Sequence, residues 1–249
     1  MHILPVPYAA DNYAYLIIEQ KRASVVDPGN AKAISDSLQK HDLTLEAILL
    51  THHHSDHVGG AARLSKATGA TIYAPNDKRI RPVDVKLHDG DRVEVPGATF
   101  EVIKTPGHTK KHMVYFCRMH RVLFSGDALF GAGCGRIFEG SVEQMYDSLM
   151  VMAALGEDVR VYFGHEYTEE NLRFALSIEP DSLQVSARLE KVRELLRAGE
   201  WTTPSFMGEE LQTNPFLRAD TESVRRALGM PDSQAHEVFG KLRKKKDSF

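Results

Sequence analysis

The sequence predicts an α/β fold followed by a smaller all-α region, and three observations carry that prediction. Short apolar runs bounded by turn residues recur from residue 1 to about 165, which is the mark of strands. Helical patterns are interposed between them. After about residue 165 the strand-like runs stop and longer helical patterns take over. Two domains are therefore expected, 1–165 and 166–249, the second within the usual size range for a domain.

Taken in order, the candidate strands are residues 13–18, 23–26, 46–50, 71–74, 92–95, 99–104, 113–117, 121–124 and 159–163. The second is closed by the turn residues Asp27-Pro28-Gly29. Ala31, Ile34 and Leu38 share one helical face, and Val142, Met145, Leu149 and Met152 share another, with Ser141 placed as an N-cap. Residues 168–178 and 182–196 are helix-patterned and separated by Glu179-Pro180. Residues 235–243 complete the helices, with turns at Asn214-Pro215 and Met230-Pro231.

Composition narrows the class. Of 249 residues 42% are apolar, and 31 cations against 34 anions leave a net charge of −3, which excludes disorder and fibrous repeats. A chain of this length buries roughly 70–75% of its unfolded surface, enough to fold without staples. The cysteines, Cys117 and Cys134, cannot build a disulfide framework, which suits a reducing compartment; both are expected to be buried thiols. The longest apolar run, residues 149–155, is far short of the ~20 residues a membrane helix needs, and the first residues lack a signal pattern. A cytoplasmic protein without membrane or nucleic-acid partners is expected, as a monomer. The stretch Lys241-Leu242-Arg243-Lys244-Lys245-Lys246 reads, on charge alone, as a solvated basic tail.

One feature of the composition points to chemistry. There are 12 histidines, and four of them lie between positions 52 and 57, in Thr51-His52-His53-His54-Ser55-Asp56-His57 after the apolar Ala47-Ile48-Leu49-Leu50. If the motif stays extended, His52, His54 and Asp56 converge while His53 turns away, and His57 opens a helical stretch. Imidazoles and a carboxylate suit zinc, iron or manganese. Three further strand-like runs end in polar residues: Thr105-Pro106-Gly107-His108, Ser125-Gly126-Asp127 and Gly164-His165-Glu166. A lone polar residue after a strand is usually a turn residue. Four such ends are different, because α/β proteins place their sites at the carboxyl ends of strands. Seven ligands exceed one tetrahedral ion and suit two ions sharing a carboxylate. His112 fits either an orienting role beside a ligand or a surface position.

These residues resemble the metallo-β-lactamase superfamily, whose H-x-H-x-D-H motif, later His, bridging Asp and final His all have counterparts. The resemblance implies an αββα sandwich with a two-metal site at its edge. A closer similarity, to the glyoxalase II or hydroxyacylglutathione hydrolase family, rests on Asp11-Asn12-Tyr13, Gly133-Cys134-Gly135-Arg136, Phe138-Glu139-Gly140, Gly164-His165-Glu166-Tyr167-Thr168 and the closing Arg243 to Phe249. It runs essentially end to end. It implies that His52, His54 and His108 hold one divalent metal and Asp56, His57 and His165 a second, with Asp127 bridging. Asp56 and Asp127, with a metal-bridging hydroxide, would be catalytic. Arg136, Tyr167, Arg243 and Lys246 would grip glutathione, with Phe138 lining the site, and the basic tail is then no longer inert.

The implied reaction is cleavage of S-D-lactoylglutathione to glutathione and D-lactate, a step of methylglyoxal degradation. Two departures from the family pattern are the arginine and phenylalanine at 136 and 138, where lysine and tyrosine are usual. A third is Lys111 in place of a glycine. If that glycine needs positive φ, Lys111 is strained. Alternatives are a glutathione-persulfide dioxygenase with one iron, a lactonase, a β-lactamase or an RNA-processing nuclease. The first should lose part of the second metal set and the basic terminus, and this chain keeps both.

Overall fold

A computed structural model describes all residues, 1–249. The chain divides into two compact units, Met1–Lys104 with Lys111–Gly126, and Thr105–Lys110 with Asp127–Phe249. The first contains β1 (His2–Tyr8), β2 (Asn12–Glu19), β3 (Arg22–Val26), α1 (Ala31–Lys40), β4 (Thr44–Leu49), α2 (Ser55–Val58) and α3 (Ala61–Thr68). It continues with β5 (Thr71–Pro75), β6 (Val85–Leu87), β7 (Arg92–Val95), β8 (Ala98–Lys104), β9 (Met113–Cys117) and β10 (Val122–Gly126).

The strands β1 to β6 form one sheet in sequence order. The first two pairings are antiparallel; β3, β4, β5 and β6 run parallel. Helix α1 is the crossover from β3 to β4. Asn30 caps it by accepting from the Ala33 amide, and Ile34 and Leu38 enter the core. That core joins Val25, Ile48, Leu64 and Ile72 from the strands and α3. The parallel pairing sets the site. Val26 lies opposite Leu49 and the Asp27 amide donates to the Leu49 carbonyl, so the chain leaves both strands on the same edge, with Asp27 beside Thr51. Strands β7 to β10 make antiparallel pairs with consecutive neighbours, and Phe100, Tyr115 and Phe124 interlock behind them, with ring centroids 5.7–6.4 Å apart.

The second unit contains β11 (Leu129–Phe130), β12 (Gly133–Cys134), α4 (Val142–Ala153), β13 (Arg160–Phe163), α5 (Thr168–Ile178) and α6 (Leu183–Arg197). It ends with β14 (Ser205–Phe206), α7 (Met207–Thr213), α8 (Glu222–Ala227) and α9 (Ala235–Asp247). Helix α4 starts at a capping box in which Ser141 and Gln144 exchange side-chain to backbone bonds. A small core joins Ala132, Leu172 and Ala175 to Val185, Leu189 and Val192 of α6. No helix is long and apolar enough to cross a membrane.

The architecture is α/β with a small all-α C-terminal region, as the sequence pattern predicts. Two local expectations are corrected. The helix after the histidine motif begins at Ser55, not His57, because His54 with ψ 141° already serves as its N-cap. Asp56 therefore sits in the first turn of α2, off the extended face that carries His52 and His54. Lys111 carries no backbone strain: the non-glycine residues with positive φ are Ala9, Gln20, Asp27, Asp42, Arg121 and Ala132.

Candidate metal centre and substrate-binding residues

In the first unit the motif after β4 gathers His52, His54, Asp56 and His57. The imidazole rings of His52 and His57 lie 4.2 Å apart, and His52 Nε2 is 3.1 Å from His54 Nδ1. His57 Nε2 is 3.5 Å from Asp56 Oδ2. Behind them sits Asp27, buried to 2% exposure and held at φ +50°. Its carboxylate accepts from the Thr51 amide (2.8 Å), the Thr51 hydroxyl (2.6 Å) and His57 Nδ1 (3.0 Å). The Thr51 hydroxyl, having donated to Asp27, accepts from His52 Nδ1 at 3.0 Å. Both rings thus spend their Nδ1 protons on the inner network and turn an Nε2 lone pair outward, the state a metal requires.

Asp56 is positioned separately. Asn12 donates to its Oδ2 at 3.1 Å, and the Tyr8 hydroxyl donates to its backbone carbonyl at 2.6 Å. Gly29 lets the carbonyl come so near that a Cβ there would lie 1.8 Å from it. His112 is buried and stacks on His52, with centroids 5.1 Å apart and planes at 30°, so the surface alternative is wrong. His53 turns toward Asp77, with Nδ1 3.9 Å from its carboxylate.

The second unit repeats the logic. His108 Nδ1 donates to the Arg136 carbonyl at 2.9 Å, which turns its Nε2 toward Asp127. Asp127 Oδ2 lies 3.4 Å from His108 Nε2 and 3.3 Å from His165 Nε2, equidistant between two imidazoles. His165 stacks on Tyr167 with centroids 4.9 Å apart and planes at 5°, and Phe130 packs edge-on against both rings, 5.9 Å from His165 and 5.4 Å from Tyr167. Gly135 backs the group: a Cβ there would lie 2.0 Å from the Asp127 carbonyl oxygen. Imidazole nitrogens with fixed tautomers and carboxylate oxygens a few ångströms away fit divalent ions.

The cations anticipated for substrate are not a loose tail. Arg243 is buried in α9; its Nη1 donates to the Cys134 carbonyl at 2.8 Å and its Nη2 pairs with Asp247 at 3.0 Å. Lys246 pairs with Glu170 at 2.5 Å and lies over the rings of Phe174 and Phe249. Lys244 and Lys245 face solvent. Arg136 is largely exposed, its Nε 3.6 Å from Asp247, and Phe138, 62% exposed, sets its ring 5.3 Å from His108. Cys117 and Cys134 are buried thiols; burial pushes Cys134 up to about 11 against the opposing pull of Arg243.

Sequence reasoning gave Asp27 only a turn role and gave Tyr8 none. The available signal was Asp27-Pro28-Gly29 at a strand end, one strand over from the histidine motif. Pairing β3 with β4 in parallel turns that signal into a contact.

The comparisons with known proteins agree with this chemistry. Residues 8–165 match the family model of the metallo-beta-lactamase superfamily, and residues 166–249 match that of the hydroxyacylglutathione hydrolase C-terminus. A hydroxyacylglutathione hydrolase of Pseudomonas fluorescens is 44% identical over 256 residues, covering 100% of both chains. One from Rhodopseudomonas palustris is 44% identical over 247 residues, 98% of this chain and 97% of its own. Among solved structures, TTHA1623 in a di-iron-bound form is 28% identical, with a TM-score of 0.56 over 65% of this chain and 91% of its own. By the matches over its whole length, the chain belongs to the hydroxyacylglutathione hydrolase family within the metallo-beta-lactamase superfamily.

Proposed function

We propose that the chain hydrolyses S-(2-hydroxyacyl)glutathione thioesters, chiefly S-D-lactoylglutathione, to glutathione and the hydroxy acid, through a two-metal centre. His52, His54 and His108 would hold one ion and Asp56, His57 and His165 the other, with Asp127 as a ligand common to both. The observation that carries this reading is the placing of Asp127 Oδ2 3.3–3.4 Å from two imidazole nitrogens. The family supplies the rest. Zinc is the first choice, and iron or manganese suits the same ligands. Such ions would supply a water of near-neutral pKa as nucleophile and a Lewis acid for the thioester carbonyl.

The protein's own residues do the positioning. Asp27 and Thr51 fix His57 and His52, the Arg136 carbonyl fixes His108, and Asn12 orients Asp56 by donating to its carboxylate. The leaving thiol has a pKa of ~8.5, so its thiolate departs without a strong acid, and none is needed from the motif. Arg136, Arg243 and Lys246 take the carboxylates of glutathione, while Tyr167 and Phe138 line the approach. Lys246 is already paired with Glu170, so a substrate carboxylate has to share or displace that partner.

We assign the catalytic domain to residues 1–165 and the substrate-binding domain to 166–249, supported by the extents of the two family matches. The protein acts as a cytoplasmic monomer. The test is turnover of S-D-lactoylglutathione before and after chelation, with oxygen uptake on glutathione persulfide run beside it. Chelator-sensitive thioester cleavage restored by zinc supports the reading; oxygen uptake without thioester cleavage overturns it.

A further inference from the structure

Four successive residues of one short hairpin are each held by a different side chain of the helical region. Strands β11 and β12 pair Leu129 with Cys134 and Phe130 with Gly133, leaving Gly131 and Ala132 as a two-residue turn. Asn171 of α5 donates to the Gly131 carbonyl at 3.0 Å, and the Ala132 amide donates to Glu210 of α7 at 2.7 Å. Asn214, the C-cap of α7, donates to the Gly133 carbonyl at 3.0 Å, and Arg243 of α9 donates to the Cys134 carbonyl at 2.8 Å. All four side chains are buried, at 6% exposure or less.

The turn needs holding. Ala132 has φ +53°, at the second central position where turns take glycine. Gly131 and Gly133 are glycines for a different reason: a Cβ on either would come within 2.4 Å of Thr168 or Asn171. Glu210 is the centre of the clamp. Its Oε1 accepts from Arg188 and from Ser205, each at 2.5 Å, and its Oε2 accepts from Ala132 and from Asn214 at 3.1 Å. With four donors facing it and no exposure, only a carboxylate fits. The hairpin carries Asp127 two residues before β11, packs Phe130 against His165 and Tyr167, and leads into Gly135 and Arg136 behind Asp127 and His108.

We propose that Asn171, Glu210 and Asn214, with Arg243, form a template for the Phe130–Cys134 turn, and that through this turn the helical region positions Asp127 for metal binding. These are positioning residues, and the helical region then serves the metal centre as well as the substrate. The proposal rests on the reading of Asp127 as a metal ligand.

The experiment combines hydrogen exchange of the metal-free protein with metal analysis and kinetics. Glu210→Gln keeps volume but turns an amide N–H toward donors in either orientation. It should speed exchange of the amides at 131–134 by about tenfold or more, drop one metal per chain, and lower kcat with KM little changed. Ala132→Gly in the same chain should restore both protection and metal, because glycine adopts the turn unaided. Val224→Ala, which loosens the helical region at α8 away from the turn and its four partners, should lower Tm and leave the metal content alone. Should Glu210→Gln fail to fold, Asn171→Ala and Asn214→Ala each remove one bond to the turn and are read the same way. Unchanged protection, or faster exchange with both metals and kcat retained, overturns the proposal. An Asp127→Ala protein that keeps two metals defeats the ligand reading instead, and the exchange pattern still judges the template.

Discussion

Replacing Asp27 by asparagine removes one charge and no volume, so it isolates the inner network from packing. The carboxylate has three donors on two oxygens: the Thr51 amide on Oδ1, and the Thr51 hydroxyl and His57 Nδ1 on Oδ2. In the Asp27→Asn protein the amide nitrogen takes the Oδ2 place, because the backbone N–H cannot turn away. The Thr51 hydroxyl can rotate to accept. His57 cannot: its Nδ1 must give up its proton to accept, and the proton moves to Nε2, where a metal would bind. The lost bond is charge-assisted and buried, worth about 1.5–3 kcal/mol, which is roughly 10–100-fold in metal affinity. Competition against a chelator of known affinity, with turnover followed in parallel, measures it. Asp27→Ala should be worse, since it also orphans the Thr51 amide. An Asp27→Asn protein with both metals at wild-type affinity refutes the argument that Asp27 fixes the His57 tautomer.

Other outcomes follow from the same geometry. Gly135→Ala places a methyl 2.0 Å from the Asp127 carbonyl oxygen, so metal content and turnover should both collapse; calorimetry should show the fold retained. Arg136→Ala should raise KM several-fold with kcat and Tm near wild type, whereas charge reversal at the buried Arg243 should lower Tm first. Glu170→Gln frees Lys246 from its carboxylate partner and should lower KM if Lys246 takes a substrate carboxylate; an unchanged KM removes that lysine from the site. Cys134 should resist thiol reagents in the native protein at pH 8, being held up to about 11 by burial. Its folded pKa lies above the ordinary thiol value, so stability is full below about pH 9 and declines as pH rises toward 11; melting curves across that window read it.

The parts of this molecule legible in the sequence are those governed by local pattern. Strand β8, helix α4 with its Ser141 cap, and helices α5 and α6 follow from apolar period and turn chemistry, and they appear within a residue or two of expectation. Strand β1 did not, because Pro5 and Pro7 disguise an edge strand whose pairing with β2 leaves one side open. Strands β11 and β12 are two residues each and are held by side chains from 40 to over 100 positions away, a cause no local window contains.

The site divides the same way. Seven histidines and aspartates at strand ends announced a metal centre. Asp27 did not announce itself, since its role depends on which strand lies beside β4. The sequence places Asp56 on the extended face with His52 and His54 because nothing local marks the helix as starting at Ser55 rather than at His57. In fact Asp56 lies in the first turn of α2, where Asn12 and Tyr8, more than 40 positions away, hold it.

Asp127 is the residue on which the proposed two-metal centre depends. Metal analysis of the wild-type protein and of Asp127→Ala, each assayed on S-D-lactoylglutathione, tests it most directly. Two metals and thioester cleavage are expected in the first, with metal lost and cleavage abolished in the second. An Asp127→Ala protein that holds two metals and cleaves the thioester at the wild-type rate would contradict it.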